Sequence, residues 1–174
     1  MNNAISSSPI SSFPPVIGAN PHTLILGSMP GRASLEAQQY YAHPRNAFWP
    51  IMARLFDFDA QLEYRLRLEK LAANGILLWD VLKQCERSGS SLDSAIAPQS
   101  EIPNAIPQLL SAQPSIETLC FNGGKAWSSF RRHLLAQIME RKSYQFHQLP
   151  STSPANARMN AAQKLTAWKL VLRP

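Results

Sequence analysis

Side chains able to do chemistry crowd into one stretch of this chain, TLILGSMPGRASLEAQQYYAHPRNAFW, from Thr23 to Trp49. Its polar groups follow a run, Leu24-Ile25-Leu26, that reads as a buried strand. The segment Gly27-Ser28-Met29-Pro30-Gly31 is either a tight turn or a site wall with exposed backbone N–H groups and one hydroxyl. It lacks the spaced glycines of a dinucleotide loop and the Gly-Lys-Ser/Thr ending of a P-loop. Tyr40 and Tyr41 either pack on the body of the protein or offer a ring face to a planar base. Asn46 stands where an N-cap would open a helix over Phe48 to Phe56, and Asn is favoured there. His43 precedes a proline and has no metal partner at ligand spacing. No Ser-His-Asp triad can be assembled, nor the two-carboxylate pair of ordinary glycosidases.

A second cluster lies near the other end of the chain. LPSTSPANAR, Leu149 to Arg158, sets small polar residues between prolines. Such a loop is stiff and can bring backbone amides against phosphates. Asp80 ends another apolar run and is either a helix cap or a pocket group.

The elements that must hold these groups follow from the pattern. Four apolar runs predict strands: His22–Leu26, Gly75–Val81, Ile116–Asn122 and Tyr144–Leu149. The first three are nearly continuous hydrophobes, as strands covered on both faces are. Helical stripes fall between them: Phe48, Met52 and Leu55; Leu68, Leu71 and Ala72 within Gln61–Ala73; Trp127, Phe130, Leu134 and Ile138; and Ala161, Leu165, Trp168 and Leu172. Ile102–Ser111 is a weaker candidate interrupted by proline. Alternating strands and helices predict an α/β fold, a three-layer α/β/α sandwich around a four-stranded parallel sheet. Sites in such folds lie beyond the C-terminal strand ends, which here are Gly27–Arg45, Asp80–Ser94, Asn122–Lys125 and Pro150–Arg158.

Totals narrow the class. The 174 residues, 45% hydrophobic and 16% charged, suit one globular domain over 21–174, with a loose Ser/Pro/Asn-rich arm over 1–20 pinned by Phe13 and Val16-Ile17. Cys85 and Cys120 match no zinc or redox spacing, so plain thiols in a reduced compartment are expected. The N-terminus has no secretory pattern and no run is long enough to span a bilayer, so the expectation is a soluble cytosolic protein. The net charge of +6 is unevenly placed. From Lys125 onward there are nine Lys or Arg against one acid, Glu140. That third of the chain either faces a polyanion or presents a solvated basic surface.

Taken together, strand–GSMPG, YYAHPRNAFW and LPSTSPANAR resemble the uracil-DNA glycosylase superfamily. The match is closest to its hypoxanthine-DNA (deoxyinosine) glycosylase branch and extends from about His22 to Leu172. Related mismatch-specific uracil/thymine enzymes share the His-Pro-x-Asn-x-Phe-Trp element, here His43 to Trp49. The first motif departs from most of the superfamily. Met29 stands where other branches carry a catalytic Asn or Asp, and a thioether cannot position water. The resemblance then implies that Asn46 holds the attacking water.

It implies a base pocket of Gly27, Ser28, Met29, Pro30, Gly31, Tyr41, Phe48 and Asp80, with Tyr41 stacking on the base. DNA contacts fall to Arg45, Lys125, Ser151, Ser153, Pro154, Ala155, Asn156 and Arg158, the stretch Ala155–Arg158 probing the gap in the helix. The expected activity is hydrolysis of the N-glycosidic bond of a deaminated base flipped from double-stranded DNA. Hypoxanthine leads, and uracil or thymine mispaired with G is the alternative. No metal or cofactor is implied, and a monomer suffices. A non-catalytic DNA-binding module on the same scaffold stays open because of Met29, and a small-molecule hydrolase with a basic surface is the third reading. The loop Gln84–Leu92 lies on the site side with no assigned role.

Overall fold

The computed structural model describes residues 8–172; elements are numbered in chain order. The four apolar runs form β2 (Thr23–Gly27), β3 (Ile76–Asp80), β6 (Thr118–Asn122) and β7 (Gln145–Leu149). They make one parallel sheet in the order β3-β2-β6-β7. Leu24, Ile25 and Leu26 are all 0% exposed, because β2 lies inside the sheet with both faces covered. Each such side chain contributes about 1.5–3 kcal/mol on burial.

Alternation along the strands divides the core in two. Leu24 and Leu26 of β2, Leu77 and Trp79 of β3, and Leu119 and Phe121 of β6 face α4 (Ile106–Ala112), α5 (Gly124–His133) and α6 (Leu135–Met139). Ile25, Ile76, Leu78 and Cys120 face α2 (Phe48–Phe56), α3 (Tyr64–Ala73) and α7 (Ala161–Val171). This is the expected three-layer sandwich, and it brings every strand's C-terminal end to one side.

Several details differ from the sequence pattern. The stripe Trp127, Phe130, Leu134 and Ile138 is inward, but the helix breaks at Leu134 (φ −131°, ψ −27°) and resumes as α6. On α7, Ala161 is exposed and Lys164 is buried, its Nζ donating to the Ser153 carbonyl. The proline-interrupted stretch divides into a strand, β5 (Ile102–Pro103), and α4, with Pro107 in the first turn where its missing N–H costs nothing.

A small antiparallel sheet, β1-β4-β5, carries no sequence signal. Its strands are β1 (Ile10–Ser11), β4 (Leu82–Cys85) and β5. β1 belongs to the stretch that composition suggests is a loose arm. Over the described residues from 8 it is instead tied down: Ser12 N donates to Lys83 O, Val16 and Leu78 exchange backbone bonds, and Trp79 Nε1 donates to Phe13 O. Phe13 and Val16 pack on the core, whereas Ile17 stays exposed. Main-chain pairing does not depend on side-chain identity, so Ser- and Pro-rich composition hides it. Residues 1–7 of the expected arm lie outside the described residues.

Candidate active site

A cleft of about 720 Å³ opens at the C-terminal ends of the strands. Its walls come from all four expected strand-end segments: Gly27–Ser34 with Tyr40, Tyr41, His43 and Arg45; Asp80 with Ser91–Ser94; Asn122; and Ser151 with Ser153–Asn156; Asn46 lies just beyond the first.

The turn after β2 is held by its neighbours. Val81 N donates to Gly27 O and Leu82 N to Ser28 O, so the turn stays in register as β3 passes into β4. Gly27 is required for space. A methyl built on it would strike Asp80 Oδ1 and lie 3.3 Å from the Tyr41 hydroxyl. Met29 belongs to the hydrophobic core and is 6% exposed. Ser28 Oγ donates to Asp93 Oδ1 at 2.6 Å.

The segment from Tyr40 to Asn46 is irregular yet fully fastened. Tyr40 N donates to the Tyr64 hydroxyl, Trp49 Nε1 to Tyr40 O, and Ala42 N to Ser34 Oγ. Tyr41 has φ +57°, the left-handed region that bulky residues avoid. Strain of that kind persists only where surroundings over-determine it, and here the ring is clamped. Tyr41 stacks on Phe48 with centroids 3.9 Å apart and planes 22° apart. Phe48, expected in the pocket, does not line the cleft; it is 0% exposed and backs the Tyr41 ring. The sequence shows two aromatics near a turn, and only packing decides which is platform and which is support.

Asn46 lies in the cleft, half-buried, two residues ahead of α2. Its Oδ1 accepts from Phe48 N at 2.9 Å. The N-cap of α2 is Ala47, which makes no side-chain cap bond, so the expected Asn46 cap is instead an Asx turn; its bond fixes the side chain and leaves one carbonyl lone pair and the NH₂ uncommitted. His43 fixes the preceding turn: Arg45 N donates to its Nδ1 and Asn46 N to its carbonyl.

The last loop is joined to the end of β6 and to the residue that opens α2. Thr152 N donates to Asn122 Oδ1, Asn122 Nδ2 donates to Thr152 Oγ1, and Ala47 N donates to Thr152 O. Gly123, at φ +98°, lets the β6–α5 turn approach Ser151, where a methyl would stand 2.9 Å from its Cβ. Ser151, Ser153, Pro154, Ala155 and Asn156 all line the cleft, whereas Arg158 is exposed and does not.

Ten lining residues were absent from the expected set, and three of them carry polar groups at key positions. Asp93, Arg32 and Asn122 reach the cleft from a 3₁₀ turn, the start of α1 (Arg32–Ala37) and the end of β6. Asn122 and Asp93 fall in the strand-end segments already singled out, but nothing marks them within those segments. The loop without a role becomes a wall through three bonds: Ser28 to Asp93, Arg87 Nη2 to Pro30 O at 2.9 Å, and Arg32 N to Ser91 Oγ.

Buried acids dominate the inner electrostatics. Burial first, and then the Asp93 charge, push the Asp80 carboxyl up to about 8. Asp93 is also raised by burial, against the Ser28 hydroxyl and the Arg87 and Lys125 charges. Burial holds the Tyr41 phenol well above its usual range, and the nearby Asn122 amide offsets little of this.

The cations are placed differently from what the linear charge pattern suggests. Lys125, expected on DNA, does not line the cleft; its Nζ is bonded to Glu101. Arg132 Nη1 and His133 Nε2 converge on the same carboxylate at 3.6 and 2.8 Å. Arg141 and Lys142 donate to carbonyls of Pro107, Pro114 and Ile116, near the strands' N-terminal ends. The basic groups lining the cleft are Arg32, His43 and Arg45, all outside the C-terminal third. Among the described residues no cluster of three His, Cys, Asp or Glu could hold a metal, and no helix is long and apolar enough to cross a membrane.

The chain is similar to known proteins over most of its length. The family model for the uracil DNA glycosylase superfamily matches residues 14–172. The hypoxanthine DNA glycosylase of Methanosarcina barkeri is 37% identical over 157 residues, covering 90% of this chain and 93% of that one. Its namesake in Methanosarcina acetivorans is 36% identical over 162 residues, covering 92% and 96%. A Methanosarcina acetivorans protein assigned to the uracil DNA glycosylases, solved by solution NMR, superposes with a TM-score of 0.79 at 34% identity, covering 94% of this chain and 96% of its own.

Proposed function

The chain belongs to the uracil DNA glycosylase superfamily, and from that premise we propose that it excises a deaminated base, hypoxanthine first, from duplex DNA. The observation that carries this reading is the oriented Asn46 side chain facing the same cleft as the Tyr41 ring. A flipped base stacks on the open face of Tyr41, whose other face is already backed by Phe48. Asn46 holds a water against C1′ through its free carbonyl lone pair. Met29, turned into the core, takes no part. Asn is no base, so the acceleration comes from placing the water and from dipoles aimed at the leaving base.

Extruding the base costs a few kcal/mol, less for a mispaired deoxyinosine than for a paired base. The loop Ser151–Asn156 lies against the phosphates on one side of the cleft, and Arg32 and Arg45 meet them on the other. The protein acts as a monomer on double-stranded DNA carrying the damaged or mispaired base. Support for hypoxanthine comes from the two relatives bearing that name and from Met29, which removes the first-motif water-holding group.

The test is base release from duplexes carrying one hypoxanthine, uracil or thymine opposite each base, read as cleavage of the abasic site. Hypoxanthine release is expected to lead. Release of uracil or thymine alone would reassign the substrate. Binding without release from any duplex would replace the enzyme with a binding module.

A further inference from the structure

Two buried polar atoms of the cleft have no partner. Asp80 Oδ2 and the Tyr41 hydroxyl are sealed from solvent, and neither makes a hydrogen bond among the described residues. Native interiors rarely leave such atoms unpaired, because each loses its water and gains nothing in exchange. Both atoms belong to residues lining the cleft and lie beside Gly27, the position at which any Cβ would strike the Asp80 carboxyl. Nearby polar side chains are committed elsewhere: Ser28 donates to Asp93, and Asn122 exchanges two bonds with Thr152.

What surrounds Asp80 fixes its chemistry. The titratable groups that face it are Asp93 from the loop after β4, Tyr40 and Tyr41 from the segment before α2, and Tyr64 from α3. None of these is a cation. A carboxylate with neither a positive neighbour nor a donor, 3% exposed, is held as the neutral acid. The upward displacement to about 8 expresses the same physics. A neutral carboxyl carries an O–H donor, and here that donor has no protein acceptor.

We propose that Asp80 donates a hydrogen bond to the departing base and does so in its protonated form. The inference rests on the glycosylase reading and deepens it. When the bond between C1′ and the base nitrogen breaks, its electron pair goes to the base, and negative charge spreads over the ring nitrogens and the keto oxygen. O–H donors already fixed in a dry site meet that charge without reorganisation, where they lower the barrier far more than in water. The proton remains on Asp80 throughout, so the step needs no further acceptor. An ionised Asp80 would present an acceptor to the same charge and oppose its release. An acid kept neutral by its surroundings so that it can donate is a known catalytic device.

The experiment is single-turnover base release from a hypoxanthine-containing duplex between pH 6 and 10, by wild type, Asp80→Asn and Asp80→Ala, with thermal melting at each pH. Asn cannot ionise but keeps an N–H donor. Wild type is expected to fall about tenfold per pH unit above about pH 8. Asp80→Asn is expected to keep activity within about tenfold of wild type at pH 7 and to lose the alkaline fall. Asp80→Ala is expected to lose roughly 10²-fold at pH 7. The proposal is overturned if the fall persists in Asp80→Asn, if the wild-type rate holds or rises through pH 9, or if folded Asp80→Asn is as inactive as Asp80→Ala. Absence of base release by wild type at every pH removes the glycosylase reading itself, and this inference with it.

Discussion

Asp80 and Glu101 are both carboxyls withdrawn from water, and their surroundings differ in every respect. Asp80 lines the cleft with no cation near it and one oxygen unpaired. Glu101, with its side chain 0% exposed, is met by Lys125, Arg132 and His133 from α5. Burial alone would raise Glu101, but hydrogen bonds from Lys125 and His133 outweigh it and hold the acid below its usual value. Burial and Asp93 raise Asp80. The contrast separates two uses of a buried charge. At Glu101 the charge is satisfied and fastens α5 to the segment entering β5. At Asp80 the polar group is left wanting a partner, a stability cost that accompanies active sites.

Five substitutions can break or sharpen that contrast. Glu101→Ala should show the largest effect on folding, about 3 kcal/mol, because Lys125 and Arg132 lose their counter-charge and His133 a hydrogen-bond partner. This lies at the low end for a broken buried pair, since Arg132 and His133 can turn to solvent. It is measured by denaturant melts, with base release per folded molecule unchanged. A large loss of activity with normal stability would instead place Glu101 in the site.

Asn46→Ala should lower base release by about 10²–10³-fold while DNA affinity changes little. The lost bond to Phe48 N should cost only about 1 kcal/mol of stability. Full activity in this variant would falsify the water-holding assignment.

The third prediction concerns the pH dependence of stability. Asp80 has a folded pKa above its unfolded value, so the folded state binds the extra proton. Its contribution is favourable below about pH 4 and is lost as pH rises toward about 8. Glu101 is displaced downward, so its contribution is present above its unfolded pKa and lost as pH falls through its folded value. The melting temperature of Asp80→Asn should therefore gain on wild type between pH 5 and pH 9. A constant difference across that range would mean that Asp80 is ionised in the folded state.

The smallest effect tests which cations meet DNA. Arg45→Ala should reduce the slope of log affinity against log salt by about 1. Lys142→Ala should leave it unchanged, because that ammonium is tied to the Pro114 and Ile116 carbonyls. Equal slopes for the two variants would return the DNA face to the C-terminal third.

Those placements also show what the residues alone could reveal. The four strands and most helix stripes were legible because nearly continuous apolar runs and 3.6-residue spacing are consequences of burial. GSMPG, Tyr41, Asn46 and the Ser151–Asn156 loop could be located because each follows or faces a strand end, and the family resemblance named their roles. Lys125 could not be read correctly, because its partner Glu101 lies 24 residues earlier in an unremarkable loop. Phe48 and Tyr41 differ only in which ring lies outermost. Asp93 depends on a tertiary bond to Ser28 across 65 residues. Linear charge counting failed for a similar reason: a cation's partner is set by folding, not by its neighbours in sequence.

The bond from Ala47 N to Thr152 O joins the two halves of the cleft across more than half the chain. As the ribosome releases the protein, Gly27 to Asn46 emerge early, but the wall that faces them is made only after β7 has added to β6. Only α7 follows, carrying Trp168 into the core. A nascent chain stalled before Leu149 therefore lacks a working site and part of its core together, so truncation near the end removes function and stability at once.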